Sequence, residues 1–371
     1  MLASIEGTKR YALKYSKHKD AYSIAENLAI SSLGIGSYMP EPYWEEAYKV
    51  SYEEAIYAAI ANGINHIDTA INYRFRQSEK EIGKAIKKAI ANGVVKRDEL
   101  FVASKAGFLP LDYPFPQNPY EWIDDEIIKK ELAEKEDIIA DQHCLTPKFL
   151  TQSLEWSLEN LGLESIDCFY LHNPEIQLGY IDYKTLLKRI EAAFELFESL
   201  CAAHKIGFYG IASWNAFLWE EDHAEYIRLN DLVKIAQKIG GENHRFRFIQ
   251  SPFNLAKPHA YNYTNQPLDD GLYYTLFQAA ERLKINAIAS SSLLRMALFK
   301  RPFSPKAAAL LGGGFSNATQ YALQFARSAI GVKSALFSST NAAHVLENLL
   351  VLEAERCAAK SYNALFNLQG G

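Results

Sequence analysis

Residues 64–106, INHIDTAINYRFRQSEKEIGKAIKKAIANGVVKRDELFVASKA, read as a strand, a helix and a second strand. INHIDTA (64–70) and LFVASKA (100–106) are short runs dominated by apolar and β-branched residues, bounded by polar segments. Between them, SEKEIGKAIKKAIANG opens with Ser78 and an acid at Glu81 and closes at Gly93, the start and stop chemistry of a capped helix. Two strands joined through a helix pair in parallel.

The same alternation extends in both directions. Further strands are expected at 33–38 (LGIGSY), 166–173 (IDCFYLHN), 206–213 (IGFYGIAS), 247–254 (RFIQSPFN), 285–292 (INAIASSS) and 334–340 (SALFSST). Helices are expected at 51–63, 146–162, 184–205, 226–240, 270–283, 316–330 and 341–350. Eight strands alternating with eight helices predict a (β/α)8 TIM barrel, a single α/β domain over residues 1–371, with its chemistry at the carboxyl ends of the strands. Three stretches stand outside that count. Residues 5–16 are expected to form an N-terminal hairpin closing the barrel floor, and 353–367 a last helix on the outside. Residues 107–145, after strand three, make a connection far longer than usual. It opens with a Pro/aromatic cluster and continues in a charged helical run, DDEIIKKELAEKEDIIA, and it is expected to act as a lid and substrate-pocket wall.

Composition narrows the function. With 371 residues, 49% hydrophobic, 22% charged and a net charge of −5, the chain can bury a large core, and it lacks the clustered basic surface of a nucleic-acid binder. No apolar run approaches the length of a membrane span, and the first residues have no apolar stretch resembling a signal peptide. Cys144, Cys168, Cys201 and Cys357 are widely spaced, without a CxxC pair, which suits a reducing, cytoplasmic setting. The expected partner is a small molecule rather than a nucleic acid or a membrane.

Four residues carry the chemistry. Asp68 ends strand two, Tyr73 follows in the loop, Lys105 ends strand three and His172 ends strand four. Adding hydride to a carbonyl leaves negative charge on oxygen, and a phenol with pKa near 10 is a weak acid at neutral pH. A buried ammonium such as Lys105 lowers the cost of the phenolate, Asp68 holds that ammonium, and His172 can orient the carbonyl oxygen. Taken singly, each also reads as a loop cap, a half-buried phenol, a rim charge or a strand-end histidine. His66 and Asp68 share a strand face and His172 lies near Glu175, but strands five to eight offer Ser, Asn and Gln rather than further ligands, so no metal site is expected.

The ordered set DTAINY with SEKEIGKAI, VASK, SLENLGL with IDCFYLHNP, and Gln250 on strand six resembles the aldo-keto reductase superfamily over about residues 30–350, as an atypical branch with its insertion after strand three. The resemblance implies a catalytic tetrad of Asp68, Tyr73, Lys105 and His172, with Tyr73 as proton donor in carbonyl reduction. It implies a nicotinamide dinucleotide across the barrel mouth. No Rossmann GxGxxG is found, and Gly34–Gly36 is too short for one. Ser213, Asn215 and Gln250 would bond the carboxamide, with Trp214 separating the first two. Ser290 stands where many relatives stack a tyrosine on the ring. The 337–349 segment would meet the adenosine phosphate through Ser338, Ser339, Thr340, His344 and Asn348, with Ser338 and His344 where relatives preferring NADP carry Lys and Arg. Arg295 and Lys333 are the other cations considered for that phosphate. Gly312–Gly314 reads equally as a strap over the cofactor or a turn. The expected cofactor is NAD(P)H, with the preference between NADH and NADPH open. The alternative is a cofactor-binding regulatory or interaction subunit of the same fold with little turnover.

Overall fold

Eight parallel strands close into one barrel: β1 (Leu33–Gly36), β2 (His66–Asp68), β3 (Phe101–Ala106), β4 (Ile166–His172), β5 (Ile206–Ala212), β6 (Phe246–Pro252), β7 (Asn286–Ser290) and β8 (Val332–Ser338). The structure, a computed structural model, describes residues 1–39, 49–300 and 303–367. Helices α1 (Glu53–Ala61), α2 (Gln77–Ala91), α3 (Pro147–Leu161), α4 (Tyr183–Ala202), α5 (Leu229–Gly240), α6 (Leu276–Arg282), α7 (Ala318–Ser328) and α8 (Ala342–Leu349) follow the strands in turn.

Strand alternation sets what fills the barrel. In β3, Phe101 and Ala103 join the inner cluster with Cys168 and Tyr170 of β4, Phe248 of β6, Ile288 of β7 and Leu336 of β8, while Val102 and Ala106 pack outward with the helices. Advancing two residues along the inward face brings β3 to Lys105 and β4 to His172, so the last inward layer is polar where the layers below are apolar. Register steps that layer by two residues from strand to strand around this part of the barrel, β2 to β4. Gly36 pairs with Asp68, Lys105 with Tyr170, His172 with Ala212, and Ala212 with Gln250.

The floor differs from the sequence-based expectation. Residues 5–16 are not a hairpin: Ile5–Tyr15 form a helix capped by Ser4, whose side chain accepts from the Gly7 amide. Gly7, Thr8 and Tyr11 are its buried residues, a helical spacing that the glycine disguises as a turn. The hairpin comes later, Tyr22–Ala25 paired with Leu28–Ser31, and it sends Leu28 and Ile30 into the inner cluster as a plug.

Two other stretches depart. The helix expected from 270 begins at Leu276, after a small hairpin of Thr264–Pro267 with Tyr273–Thr275. The charged run after strand three is mostly not α-helix. Pro119–Ile123 is helical and widens into a π-turn at Asp124–Ile128, and only a short 3-10 turn follows at Lys135–Asp137. Its buried residues Ile123, Ile127, Ala133 and Ile139 keep a helical spacing for one step and then lose it, so no continuous stripe exists to bury. The last helix, Ala359–Phe366, lies within the expected 353–367.

Candidate active site

Lys105 is fully buried, and its Nζ donates to Asp68 Oδ1 at 2.6 Å and to the Thr69 carbonyl at 2.7 Å. Gln250 Nε2 donates to the other Asp68 oxygen at 2.8 Å. Burial pushes the Lys105 ammonium below the usual lysine range, and Asp68 pulls the other way. The Tyr73 ring lies over this ammonium, Nζ to ring centre 5.1 Å. His172 meets the same ring edge-on at 5.8 Å. The structure therefore brings Asp68, Tyr73, Lys105 and His172 together at one end of the barrel.

Tyr73 is carried by an unusual loop. Arg74, Phe75 and Arg76 all have positive φ, between 49° and 67°, a region that β-carbons disfavour and that persists only where the surroundings hold it. Arg74 is buried, donating to Glu81 Oε2 at 2.7 Å and to the Val50 carbonyl at 2.8 Å. Phe75 packs on Phe115, ring centres 5.1 Å apart. Arg76 lies 4.2 Å over the Trp156 ring and pairs with Asp112 at 3.2 Å. Phe115 and Asp112 belong to the 107–145 insertion, which thus braces the tyrosine loop from outside.

His172 is 8% exposed, and its Nδ1 has no partner among the described residues. Burial, then Lys105 and His143, drives its pKa well below the usual histidine value, so the ring is neutral. A buried bare acceptor is tolerated better than a buried unpaired N–H, which places the proton on Nε2.

The residues expected around a nicotinamide are less uniform. Ser213 Oγ donates to Glu175 Oε1 at 2.8 Å and accepts from the Ala216 amide at 2.9 Å. Glu175 also accepts from the Trp214 amide at 2.8 Å and the Asn215 amide at 3.4 Å, so one buried carboxylate shapes the whole turn after β5. Burial raises its pKa against those bonds. Ser213 is thereby spent on the protein, whereas the Asn215 side-chain amide and Gln250 Oε1 have no partner among the described residues. Ser290 ends β7. Trp214, at the end of β5, is 36% exposed between Lys257 and Arg295, which lie 5.4 Å and 5.7 Å from its ring. Arg295 also lies 4.9 Å from the ring of Tyr38, which packs on Tyr73 at 5.1 Å.

At the adenosine end the expectation is corrected in part. Ser338 turns inward, its Oγ donating to the Tyr38 carbonyl at 3.2 Å and lying 3.1 Å from Tyr52 Oη, so it does not occupy a cation's place on the surface. Ser339 Oγ is bonded to the Asn341 backbone within its own turn, and Asn341 caps α8 through the Ala343 amide. Thr340 and exposed His344 stay open at this end. Asn348, buried, shares a helix face with His344 four residues on. Lys333 is the second residue of β8, at the floor end of the strand, which removes it as a phosphate ligand; Arg295 is at the mouth. Gly312–Gly314 all have positive φ and line a cavity of about 670 Å³ with residues 353–358, on the outer wall rather than over the tetrad.

Sequence reasoning missed Glu175, the Thr69 carbonyl and His143 as parts of the site. Glu175 sits three residues after His172, and that proximity was its one visible signal.

Among the described residues no group of three or more His, Cys, Asp or Glu side chains is placed to hold a metal ion, and no helix is long and apolar enough to cross a membrane.

The aldo/keto reductase family pattern matches residues 32–232, more than half of the 371-residue chain, and the chain belongs to this family. It is 31% identical over 145 residues to prostaglandin F synthase 1 of Bos taurus, covering 39% of this chain and 32% of that one. It is 26% identical over 212 residues to aldo-keto reductase family 4 member C11 of Arabidopsis thaliana, covering 56% and 50%. The chain thus spans about a third to a half of the length of these curated relatives. Among solved structures, it is similar to an aldo/keto reductase from Klebsiella pneumoniae in complex with NADP and acetate, with TM-score 0.61, 18% identity and 95% of each chain covered. It is also similar to the holo form of AKR11C1 from Bacillus halodurans, with TM-score 0.59, 18% identity and 94% and 95% covered. At that identity the likeness is one of fold.

Proposed function

We propose that the protein interconverts a carbonyl and an alcohol, using NAD(P)H, with Tyr73 as the proton donor. The observation that carries this reading is the buried Lys105 ammonium, clamped by Asp68 and the Thr69 carbonyl beneath the Tyr73 ring. A structural lysine has no need of a phenol over its charge at the open end of a barrel.

When bound, the reduced nicotinamide supplies a hydride. Asn215 and Gln250 Oε1 are the open groups that fit its carboxamide. Ser213 acts through Glu175 to hold Asn215 in place. Thr340, His344 and Asn348 would meet the adenosine end, and Arg295 its phosphates.

In reduction, His172 donates from Nε2–H to the substrate carbonyl oxygen and sets its orientation. As the carbon gains a hydrogen and the C=O π pair moves to oxygen, Tyr73 releases its phenolic proton to that oxygen. Lys105 stabilises the phenolate left behind, and Asp68 keeps Lys105 charged. Neutral His172 leaves this exchange undisturbed, since a protonated ring would compete as the acid. The reverse sequence oxidises an alcohol with Tyr73 as base. Phe108, whose ring centre is 5.0 Å from that of His172, supplies an apolar wall for the carbonyl substituent.

The test is a panel of aldehydes, ketones and sugars with NADH and with NADPH, followed by loss of the near-ultraviolet nicotinamide absorbance. Turnover that disappears in Tyr73→Phe supports the reading, and turnover that survives it refutes the assigned donor.

A further inference from the structure

Near its end, the 107–145 insertion returns to the His172 backbone through one histidine. His143 is fully buried, and its Nε2 lies 2.7 Å from the carbonyl oxygen of His172. A carbonyl can only accept, so Nε2 carries the proton and Nδ1 is the acceptor. Gln177 answers this arrangement: its Nε2 donates to His143 Nδ1 at 3.2 Å, and its Oε1 accepts from Arg189 Nη1 at 3.0 Å. The three bonds form one directed chain, Arg189 to Gln177 to His143 to the His172 carbonyl, with a single consistent assignment of every proton. Burial lowers the His143 pKa to about 4, so this tautomer holds at neutral pH.

The backbone makes room for the contact. Gly107 has φ +144°, and a β-carbon there would lie 2.7 Å from His143 Nε2 and 2.8 Å from the His172 carbonyl. The Gly107 carbonyl in turn accepts from the Cys144 amide at 2.8 Å. His172 itself has no hydrogen bond on Nδ1 among the described residues to aim its ring. What aims it is its backbone position and the edge-on packing of Tyr73 and Phe108, and Phe108 also packs on His143 at 5.2 Å.

We propose that His143 is a positioning residue for carbonyl reduction, contributed by the insertion: it anchors the His172 backbone and, with Phe108, fixes the direction in which His172 Nε2–H meets the substrate oxygen. This rests on the hydride-transfer reading above. Misplacing a reacting group by about an ångström can cost on the order of a hundredfold in rate, so the consequence is measurable. The titratable and charged groups facing His172 are Lys105 with Asp68 behind it, Tyr73 and His143 itself. Removing His143 takes a side chain away from the His172 backbone and removes one of the groups that hold the ring neutral.

The experiment compares the full chain with His143→Leu and His143→Gln, the second keeping an amide donor. Expected for His143→Leu are a kcat at least tenfold lower at pH 7, a reduced-cofactor Kd within threefold of the parent, and a His172 ring titration, read by NMR, moved upward towards its ordinary range of about 6.5. His143→Gln should recover kcat to within threefold. Parental kcat and an unmoved His172 titration in His143→Leu, whatever its melting temperature, would overturn the proposal, as would a loss that Gln does not recover. Should His143→Leu not fold, Gln177→Leu removes the donor that fixes the tautomer and must lower kcat in the same direction; no change there is equally fatal. If the parent reduces no carbonyl, the hydride-transfer reading fails, while the His172 titration in the same variants still decides the positioning role.

Discussion

Exchanging Lys105 for Met separates what the ammonium does for Tyr73 from what it does for the fold. Nζ lies 5.1 Å from the Tyr73 ring centre, and at that separation a unit charge in an effective dielectric near 20 favours a phenolate by roughly 3 kcal/mol. Asp68, 2.6 Å from Nζ, offsets part of this order-of-magnitude figure. It corresponds to about two pH units of phenol acidity, or about a hundredfold in the rate of a step that needs the proton. The same substitution strands the Asp68 carboxylate, 4% exposed, with Gln250 as its one remaining side-chain donor among the described residues. Breaking a buried pair from one side costs about 3–5 kcal/mol of stability. Lys105→Met is therefore expected to be both slow and unstable, whereas Asp68→Asn with Lys105→Met, which removes the stranded charge as well, should regain most of the stability and none of the rate. Denaturant midpoints for the parent, both single variants and the double, with single-turnover oxidation of bound reduced cofactor, give the full cycle. A double variant no more stable than Lys105→Met would show that the pair is not what the fold depends on. A parental rate in either Met variant would show that the phenol does not need the ammonium.

Tyr73→Phe should bind reduced cofactor as the parent does, by fluorescence, and lose carbonyl reduction by on the order of a hundredfold or more; near-parental turnover excludes Tyr73 as donor. Because Ser338 faces inward, the change that should move preference towards NADPH is Thr340→Lys with His344→Arg. Charge-assisted bonds of about 1.5–3 kcal/mol each predict a shift in the ratio of dissociation constants of at least tenfold, and Ser338→Lys alone should instead lower the melting temperature. His66, buried against Ser334 Oγ at 2.8 Å, has its pKa lowered to about 4, so between pH 6.5 and 4 the unfolded chain binds a proton that the folded chain refuses, and stability falls as pH falls. His66→Gln should remove about 3 kcal/mol of that loss, seen as a stability difference from the parent that shifts in the variant's favour between pH 7 and pH 4; a pH-independent difference contradicts it. Gly83→Ala would set a β-carbon 2.6 Å from the Leu161 carbonyl where α2 meets α3, and urea denaturation should show a loss of roughly 1–3 kcal/mol.

The parts of this protein legible in its sequence are those determined within a few residues. The apolar runs FVASKA and IDCFYLH mark buried strands of a parallel sheet, so Lys105 and His172 could be placed at the carboxyl ends of strands three and four before any contact was known. Parallel topology then brings strand ends together without further information, which is why Asp68, Tyr73, Lys105 and His172 could be grouped. The floor was misread because Gly7 hides a helical spacing and the plugging strands are only four residues each. The charged run after strand three was misread because helix propensity is a weak prior where no apolar stripe continues it.

What could not be read has a common physical origin: a polar side chain whose role depends on which distant backbone group it meets. Nothing local distinguishes Ser213, turned to Glu175, from Asn215, left open two residues later; the carboxylate that separates them comes from the preceding strand end, 38 residues away. His143 lies in a segment with little regular structure and 29 residues from the carbonyl it holds. Its partner Gln177 is 34 residues further along, on the far side of that same carbonyl. Gly107, two residues after Lys105, carries no side chain, so another group can pass close to the backbone there. What passes is the histidine of the insertion, so the long connection that reads in sequence as a lid also acts on the site from inside: residues 107–108 and 143 close on His172, while Asp112 and Phe115 brace the Tyr73 loop.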